Sequence, residues 1–309
     1  MSALPRTMKG VVLSAPYEIS VQDQPVPSIQ EEGDVIVRVH VAGLCGSDLH
    51  FYRGTEMTEF SPFIMGHEAV GEVVEVGSGV TKWHKGDIVI SPFSLSCGDC
   101  FYCKRNYTAR CTSATLLGSP TYPGAQAEYL RVAMADASLF AMPPDLPKEL
   151  GLMLADILPT GYSTAYNARR LADEEESPVS VGVEKTSSDP LVKKGVCVVV
   201  GCGPVGLCAI TSATTMFEKV FATDLQTHRL QSAKKHGAIA LPLDQLRPAL
   251  LEATGNRGAD AALELVGHEG ALITAIDLVR PYGVISVGGV HSKPVNISGD
   301  DLYGKKAIV

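Results

Sequence analysis

Four of the chain's eight cysteines, Cys97, Cys100, Cys103 and Cys111, fall within the single stretch CGDCFYCKRNYTARC (97–111). In the spacing C-x2-C-x2-C-x7-C, the short gaps let successive thiolates turn inward on one ion, and the longer gap lets the fourth close a tetrahedron. A closed tetrahedron has no position for a substrate, so the stretch reads as a structural zinc site rather than a reactive centre. An iron–sulfur cluster fits less well, because the three-residue gap and following proline of the bacterial ferredoxin run are missing. In a reducing compartment, clustered thiols are more often metal ligands than disulfides.

A second group of metal-ligating residue types is dispersed. GLCGSDLH (43–50) offers Cys45, Ser47, Asp48 and His50, GHE (66–68) offers His67 and Glu68, and LADILPTGY (154–162) offers Asp156. One thiolate, one imidazole and one carboxylate would hold a zinc ion and leave a fourth position for water or an alcohol oxygen. Each residue also has an ordinary role open to it. Cys45 fits a small buried hydrophobe, His67 a hydrogen-bonded core histidine, Glu68 a surface acid and Asp156 a helix cap.

The third signal is a phosphate loop. VCVVV (196–200) runs directly into Gly201-Cys202-Gly203-Pro204-Val205-Gly206, and LCAITSAT continues as a helix. The first glycine permits a tight turn, the second lets the backbone approach a pyrophosphate, and the third packs helix on strand. The next apolar run, KVFATD (219–224), ends in Asp224, where a carboxylate accepts hydrogen bonds from an adenosine ribose. A 2′-phosphate would meet that charge, so NAD is favoured over NADP, with Arg229 close by in sequence as the counter-argument.

The elements that must position these residues divide into two kinds. Up to about residue 155, runs rich in Val and Ile (KGVVL, DVIVRVHVAG, GEVVEVGSGV, GDIVI, AEYLRV) recur between Gly and Pro breaks and read as a mostly β domain. From 156 to 309, helical stretches (GYSTAYNARRLA, HRLQSAKKHGA) alternate with apolar strands (VCVVVG, KVFATD, DAALELV, GVISVGG), the pattern of a parallel sheet wrapped by helices. The chain of 309 residues carries 34 acidic against 26 basic residues, a net charge of −8. With no basic run, it offers nothing for nucleic acid to bind. No apolar stretch is long enough for a signal peptide core at the N-terminus or for a membrane span, so the expected setting is the cytoplasm. Residues 173–195, charged, Ser-rich and with two prolines, read as a polar surface loop.

Taken together, CGSDLH, GHEAVGEVVEVG, the four-cysteine stretch, DILPTGY and VVVGCGPVGL follow one another as in the zinc-dependent medium-chain alcohol dehydrogenases, which the chain resembles from about Lys9 to Gly304. The resemblance implies an α/β protein: a GroES-like β-barrel catalytic domain (1–155), a Rossmann domain (156–309) and a catalytic zinc in the cleft between them. By the same resemblance Cys45, His67 and Asp156 match the catalytic ligands. Asp156 stands where many members have cysteine, closer to the formaldehyde- and polyol-handling branches. Glu68 matches the residue that approaches the zinc and exchanges with water. Ser47 and His50 match the proton relay, and Asp48 the carboxylate that orients His67. Phe93 falls where the family lines its substrate pocket; with Met57 and Phe51 it suggests an apolar pocket, though residue order does not place them. Gly201, Gly203, Pro204, Val205 and Gly206, with Asp224 and Arg229, match the cofactor site. The implied complement is two zinc ions, NAD, and a small alcohol, polyol or carbonyl substrate, in a homodimer or homotetramer paired through the Rossmann sheet edge.

The resemblance departs at residues 173–195, where the family makes a shorter connection, and at DLYGKKAIV, where it continues through a last strand and returns to the catalytic domain; KAIV reads as the start of that strand. Two readings therefore stand. One is an active NAD-dependent zinc dehydrogenase, supported by an intact set of ligand and relay residues. The other is a catalytically impaired protein that binds NAD and zinc and acts through interactions, supported by the missing C-terminal return.

Overall fold

The computed structural model describes residues 4–55, 61–176 and 193–305. It divides into two compact units, Met1–Asp156 and Ile157–Val309. Most of the polar stretch 173–195, the residue Met57 and the terminal KAIV lie outside the described residues. Residues 173–176, expected in a loop, instead end a long helix, because the apolar side of GYSTAYNARRLA stays buried through Ala172 and carries the helix on into its acidic tail.

The first unit contains strands β1 (Thr7–Ala15), β2 (Glu18–Pro25) and β3 (Val35–Ala42), then helix α1 (Gly46–Tyr52). Strands β4 (Phe63–Ile64), β5 (Ala69–Val76), β6 (Ile88–Ser91), β7 (Ser94–Leu95), β8 (Thr115–Leu116) and β9 (Tyr129–Val132) follow. Helix α2 (Ala135–Ser138), strand β10 (Phe140–Ala141) and helix α3 (Lys148–Leu152) complete it. Its strands form a three-stranded sheet in the order β2-β1-β4, a five-stranded sheet in the order β10-β6-β5-β3-β9, and the ribbon β7-β8. Backbone bonds between Val11 and Gln126 and between Glu128 and Lys9 join the two larger sheets, as expected of a mostly β barrel. Val35, Val37, Val73, Val89, Leu95, Leu117 and Leu130 fill the interior. Alternate residues of the β-branched runs supply these side chains because successive residues of a strand face opposite sides.

One ion pair anchors the start of β3. Asp34 is fully buried and its Oδ2 accepts from the Gln30 and Glu31 amides and, at 2.9 Å, from Arg131 on β9. The Arg131 guanidinium also lies over the Tyr122 ring, 4.6 Å from its centre.

The second unit begins with α4 (Ile157–Glu176) and continues as β11 (Val196–Val200), α5 (Pro204–Met216), β12 (Lys219–Thr223), α6 (Thr227–Lys235) and β13 (Ile239–Ala240). It ends with α7 (Leu243–Ala253), β14 (Ala259–Glu264), α8 (Glu269–Leu278), β15 (Val279–Val287) and α9 (Gly299–Lys305). The strands make one parallel sheet in the order β13-β12-β11-β14-β15. This is the doubly wound Rossmann arrangement, with the strand order reversing between β11 and β14. Every residue of β11 is buried, because helices cover both faces of the sheet. Cys197 and Val199 pack toward α4, α5 and α6 through Ala168, Ile210 and Leu230; Val196 and Val198 pack toward α7 and α8 through Leu246, Leu250 and Ile276.

Removing the partner of a buried carboxylate leaves an uncompensated charge, which costs about 3–5 kcal/mol. Arg131→Leu is therefore expected to lower the unfolding free energy of the first unit by an amount of that order, read as a lower denaturant midpoint. Combining it with Asp34→Asn should recover part of the loss; equal midpoints for wild type and Arg131→Leu would remove Asp34 as an anchor.

Candidate functional site

The antiparallel pairing of β3 with β5 brings the first group of residues together. Ala42 at the end of β3 sits opposite Ala69 at the start of β5. The residues just beyond β3, Gly43 to Cys45, therefore emerge beside those just before β5, His67 and Glu68. Cys45 caps α1, and Asp48 in the first turn of that helix accepts the Cys45 amide at 2.8 Å through Oδ2. The other oxygen of the same carboxylate, Oδ1, lies 3.2 Å from His67 Nδ1. Asp48 is 1% exposed and His67 5%, so this link is made away from water.

With Nδ1 engaged, His67 presents Nε2 to Asp156, in the turn that follows α3; Nε2 to Oδ2 is 3.3 Å. Cys45 Sγ lies 3.6 Å from the same Asp156 oxygen. All three donor atoms fall within 4.8 Å of one another. A tetrahedral zinc with a thiolate, an imidazole and a carboxylate at ordinary bond lengths would separate sulfur from oxygen by ~3.6 Å and nitrogen from oxygen by ~3.3 Å. The donor set and its spacing fit that ion.

The electrostatics agree. Burial opposes a charged His67, yet its hydrogen bonds with Asp156, Asp48 and Cys45 overcome that cost and raise its pKa to about 12. The pocket is rich in donors and favours a cation at its centre. Burial, reinforced by the negative charge of Asp156, pushes the Glu68 carboxyl up to about 7. Glu68 reaches its place over Gly43: a Cβ built there would lie 2.1 Å from Glu68 Oε1. Sequence reasoning passed over Gly43, whose signal was a glycine two residues ahead of the first ligand candidate. Ser47 and His50 share one side of α1, three residues apart, and both are half-buried; Ser47 Oγ is 3.9 Å from Cys45 Sγ. The Phe93 ring meets His67 edge to face, with centroids 6.5 Å apart. Half-buried Phe51 meets Phe63 edge to face and packs against the cluster of Leu13, Phe63 and Met65.

The four-cysteine stretch follows β7 and folds through two short 3-10 turns, Cys103–Arg105 and Thr108–Arg110. Its four sulfurs also lie within 4.8 Å of one another, Cys111 to Cys97 at 3.5 Å and Cys97 to Cys103 at 4.0 Å. Four thiolates at ~2.3 Å from a tetrahedral zinc stand ~3.8 Å apart. The amides of Cys97 and Ser113 donate to Cys111 Sγ and that of Cys100 to Cys97 Sγ, each at 3.3 Å. Amide bonds from Cys103 and Thr112 likewise lower the Cys100 thiol to about 5. Such bonds stabilise thiolates, the form that binds metal. No sulfur–sulfur bond is present among the described residues.

In the second unit the glycine motif joins β11 to α5. Gly201 takes a positive φ of 98°, a Cβ on Gly206 would lie 2.0 Å from the Gly201 carbonyl oxygen, and a Cβ on Gly203 would meet open space. The turn, the helix–strand contact and the open approach are the three properties a pyrophosphate loop needs. Pro204 opens α5 at its first position, with Val205 next, and Gly203 is its cap. Asp224, just beyond β12, is held by the amides of Cys202 (2.9 Å) and Gln226 (2.8 Å), and Arg229 Nη1 lies 3.6 Å from its Oδ2.

Residues 31–144 match the family described as the alcohol dehydrogenase GroES-like domain, and residues 204–309 match the zinc-binding dehydrogenase family. The chain is 45% identical over 304 residues to the medium chain reductase/dehydrogenase ucsI of an Acremonium species, covering 97% of this chain and 99% of that protein. It is 42% identical over 303 residues to zinc-type alcohol dehydrogenase B of Aspergillus flavus, covering 96% of this chain and 67% of that one. Among solved structures it is similar to the alcohol dehydrogenase TADH from Thermus sp. ATN1, with a TM-score of 0.84 and 33% identity over 97% of this chain and 83% of that one.

A carboxyl group whose folded pKa is raised keeps its proton longer in the folded state than in the unfolded one. Stability is therefore lost as pH climbs from 4.5 through about 7. In protein stripped of metal by a chelator, Glu68→Gln is expected to flatten that decline, read as the denaturant midpoint across the same window. A wild-type midpoint that does not fall there would contradict the burial of Glu68.

Proposed function

Because the chain belongs to the zinc-binding alcohol dehydrogenases with a GroES-like domain, we propose that it moves a hydride between an alcohol or polyol, or the matching aldehyde or ketone, and NAD. The carrying observation is the convergence of Cys45 Sγ, His67 Nε2 and Asp156 Oδ2 at zinc-like separations. Cys45, His67 and Asp156 would hold a catalytic zinc, with Glu68 beside them. Cys97, Cys100, Cys103 and Cys111 would hold a second, structural one. When bound, the catalytic ion supplies Lewis acidity that makes an alcohol proton easier to remove, and NAD supplies the hydride acceptor.

The chain's own residues do the remaining work. Asp48 keeps His67 in the orientation that turns Nε2 inward. Ser47 takes the departing proton and His50, further along the same half-buried side of α1, delivers it to solvent. Phe93, edge-on to His67, makes one apolar wall beside the ligands. Gly201, Gly203 and Gly206 leave the backbone open to the pyrophosphate, with Pro204 and Val205 beginning the helix that faces it. Asp224 receives the ribose hydroxyls; its carboxyl group repels a 2′-phosphate, and Arg229 is turned toward that carboxyl, which favours NAD over NADP. Four cysteines assigned to zinc, Cys97, Cys100, Cys103 and Cys111, suit a reducing, cytoplasmic setting. The alternative of a binding protein without turnover draws no support from the grouping of Cys45, His67 and Asp156.

The test is metal content together with NADH and NADPH formation across a panel of alcohols and polyols. Two zinc ions per chain and NADH formation are expected. His67→Ala should abolish turnover while NAD still binds, and Asp48→Asn should cost about 10–100-fold in activity or zinc affinity. Full activity of His67→Ala would overturn the metal mechanism.

A further inference from the structure

The carboxyl end of β14 carries a buried acid that neither the glycine motif nor the cysteine and histidine clusters use. Glu264, the last residue of β14, is 0% exposed. Its Oε1 accepts the amides of Val266 (2.8 Å) and Gly267 (2.9 Å), and its Oε2 lies 3.0 Å from His291 Nε2. Its main-chain carbonyl accepts the amides of Gly288 (2.8 Å) and Gly289 (3.0 Å). One residue thus ties the loop after β14 to the loop after β15. The two loops interlock closely, for a Cβ on Gly289 would lie 2.1 Å from the Gly267 nitrogen and 2.8 Å from Glu264 Oε2.

These loops stand beside the phosphate loop. Glu264 is paired with Val200, the last residue of β11, and the Leu265 amide donates to the Val200 carbonyl at 3.0 Å. A Cβ on Gly201 would lie 2.6 Å from Val266 Cγ2. The reversal of strand order between β11 and β14 opens a crevice at the carboxyl ends of the strands, where doubly wound sheets bind ligands. Around the buried acid Val266 and Val290 in the loops and Val287, the last residue of β15 and paired with Glu264, are exposed and make a small apolar rim. Asp224 and the glycine motif account for the adenosine and pyrophosphate of a dinucleotide, and the apolar rim on the other side of Gly201 suits the flat face of its second ring.

Resting on the dinucleotide reading above, we infer that Glu264 and His291 form a latch of positioning residues, which fixes the loops carrying Val266 and Val290, beside Val287 at the end of β15, where the nicotinamide riboside half of the cofactor settles. Neither latch residue touches the cofactor. A hydrogen bond to a buried acid restrains the rim before binding, so its loss is felt as an ordering cost when the cofactor arrives.

Full-length, zinc-loaded protein titrated with NADH and, separately, with 5′-AMP tests this. His291→Ala is expected to weaken NADH binding about tenfold and to leave 5′-AMP within about twofold of wild type. His291→Gln, whose side-chain amide can donate to the same Glu264 oxygen, should restore NADH affinity. Unchanged NADH affinity in His291→Ala, or a parallel loss of NADH and 5′-AMP, would overturn the latch. A wild-type chain that binds neither ligand would overturn the dinucleotide reading instead.

Discussion

The candidate metal site in the first unit depends on one carboxyl group outside its three candidate ligands. Asp48 fastens the Cys45 amide with one oxygen and His67 Nδ1 with the other, in surroundings that water scarcely reaches. That double engagement sets the direction of the thiol and the free nitrogen of the imidazole together. Without it, a cysteine at the head of α1 and a histidine at the foot of β5 would each have several rotamers, and few combinations would meet Asp156. The burial that strengthens the Asp48 bonds is also what raises Glu68 to about 7, since both acids share one dry pocket with Asp156.

The second unit solves the corresponding problem with backbone. Its parallel strands are buried on both faces and end at one edge, so the segments leaving β11, β12, β14 and β15 are gathered along a single line. The glycine motif leaves β11 with open space at Gly203, and Asp224 leaves β12 with its carboxyl group already oriented by two amides. Glu264 performs the same service for the loops after β14 and β15. In each unit a buried or half-buried acid is satisfied mainly by main-chain amides, which cannot rotate away as side chains can. Position is thereby transferred from rigid strands to loops.

Much of this was legible from residue order. The apolar runs became strands and the alternating half became a parallel sheet, because period-two and continuous apolar patterns each bury well in only one kind of sheet. The four-cysteine stretch closes on itself within fifteen residues, so its chemistry is local and its spacing nearly sufficient. The long helix α4 ran beyond the expected start of the polar stretch, since helix propagation into charged residues costs little once an apolar side is anchored. The contact of Phe51 with Phe63 was not legible, because an aromatic residue near ligand candidates packs equally well against a core.

By itself the sequence determined the two kinds of domain, the thiolate cluster, the phosphate loop and the residue types available for a catalytic metal. Those features are short in range: periodicities, fixed gaps and a glycine pattern whose meaning is contained in a few neighbouring residues. Only the tertiary structure decided that Cys45, His67 and Asp156 converge, that Gly43 makes room for Glu68, and that Glu264 reaches His291 across two loops. Those outcomes rest on strand register and on close backbone approaches between segments far apart in the chain, where a shift of one residue would turn each side chain to the opposite face.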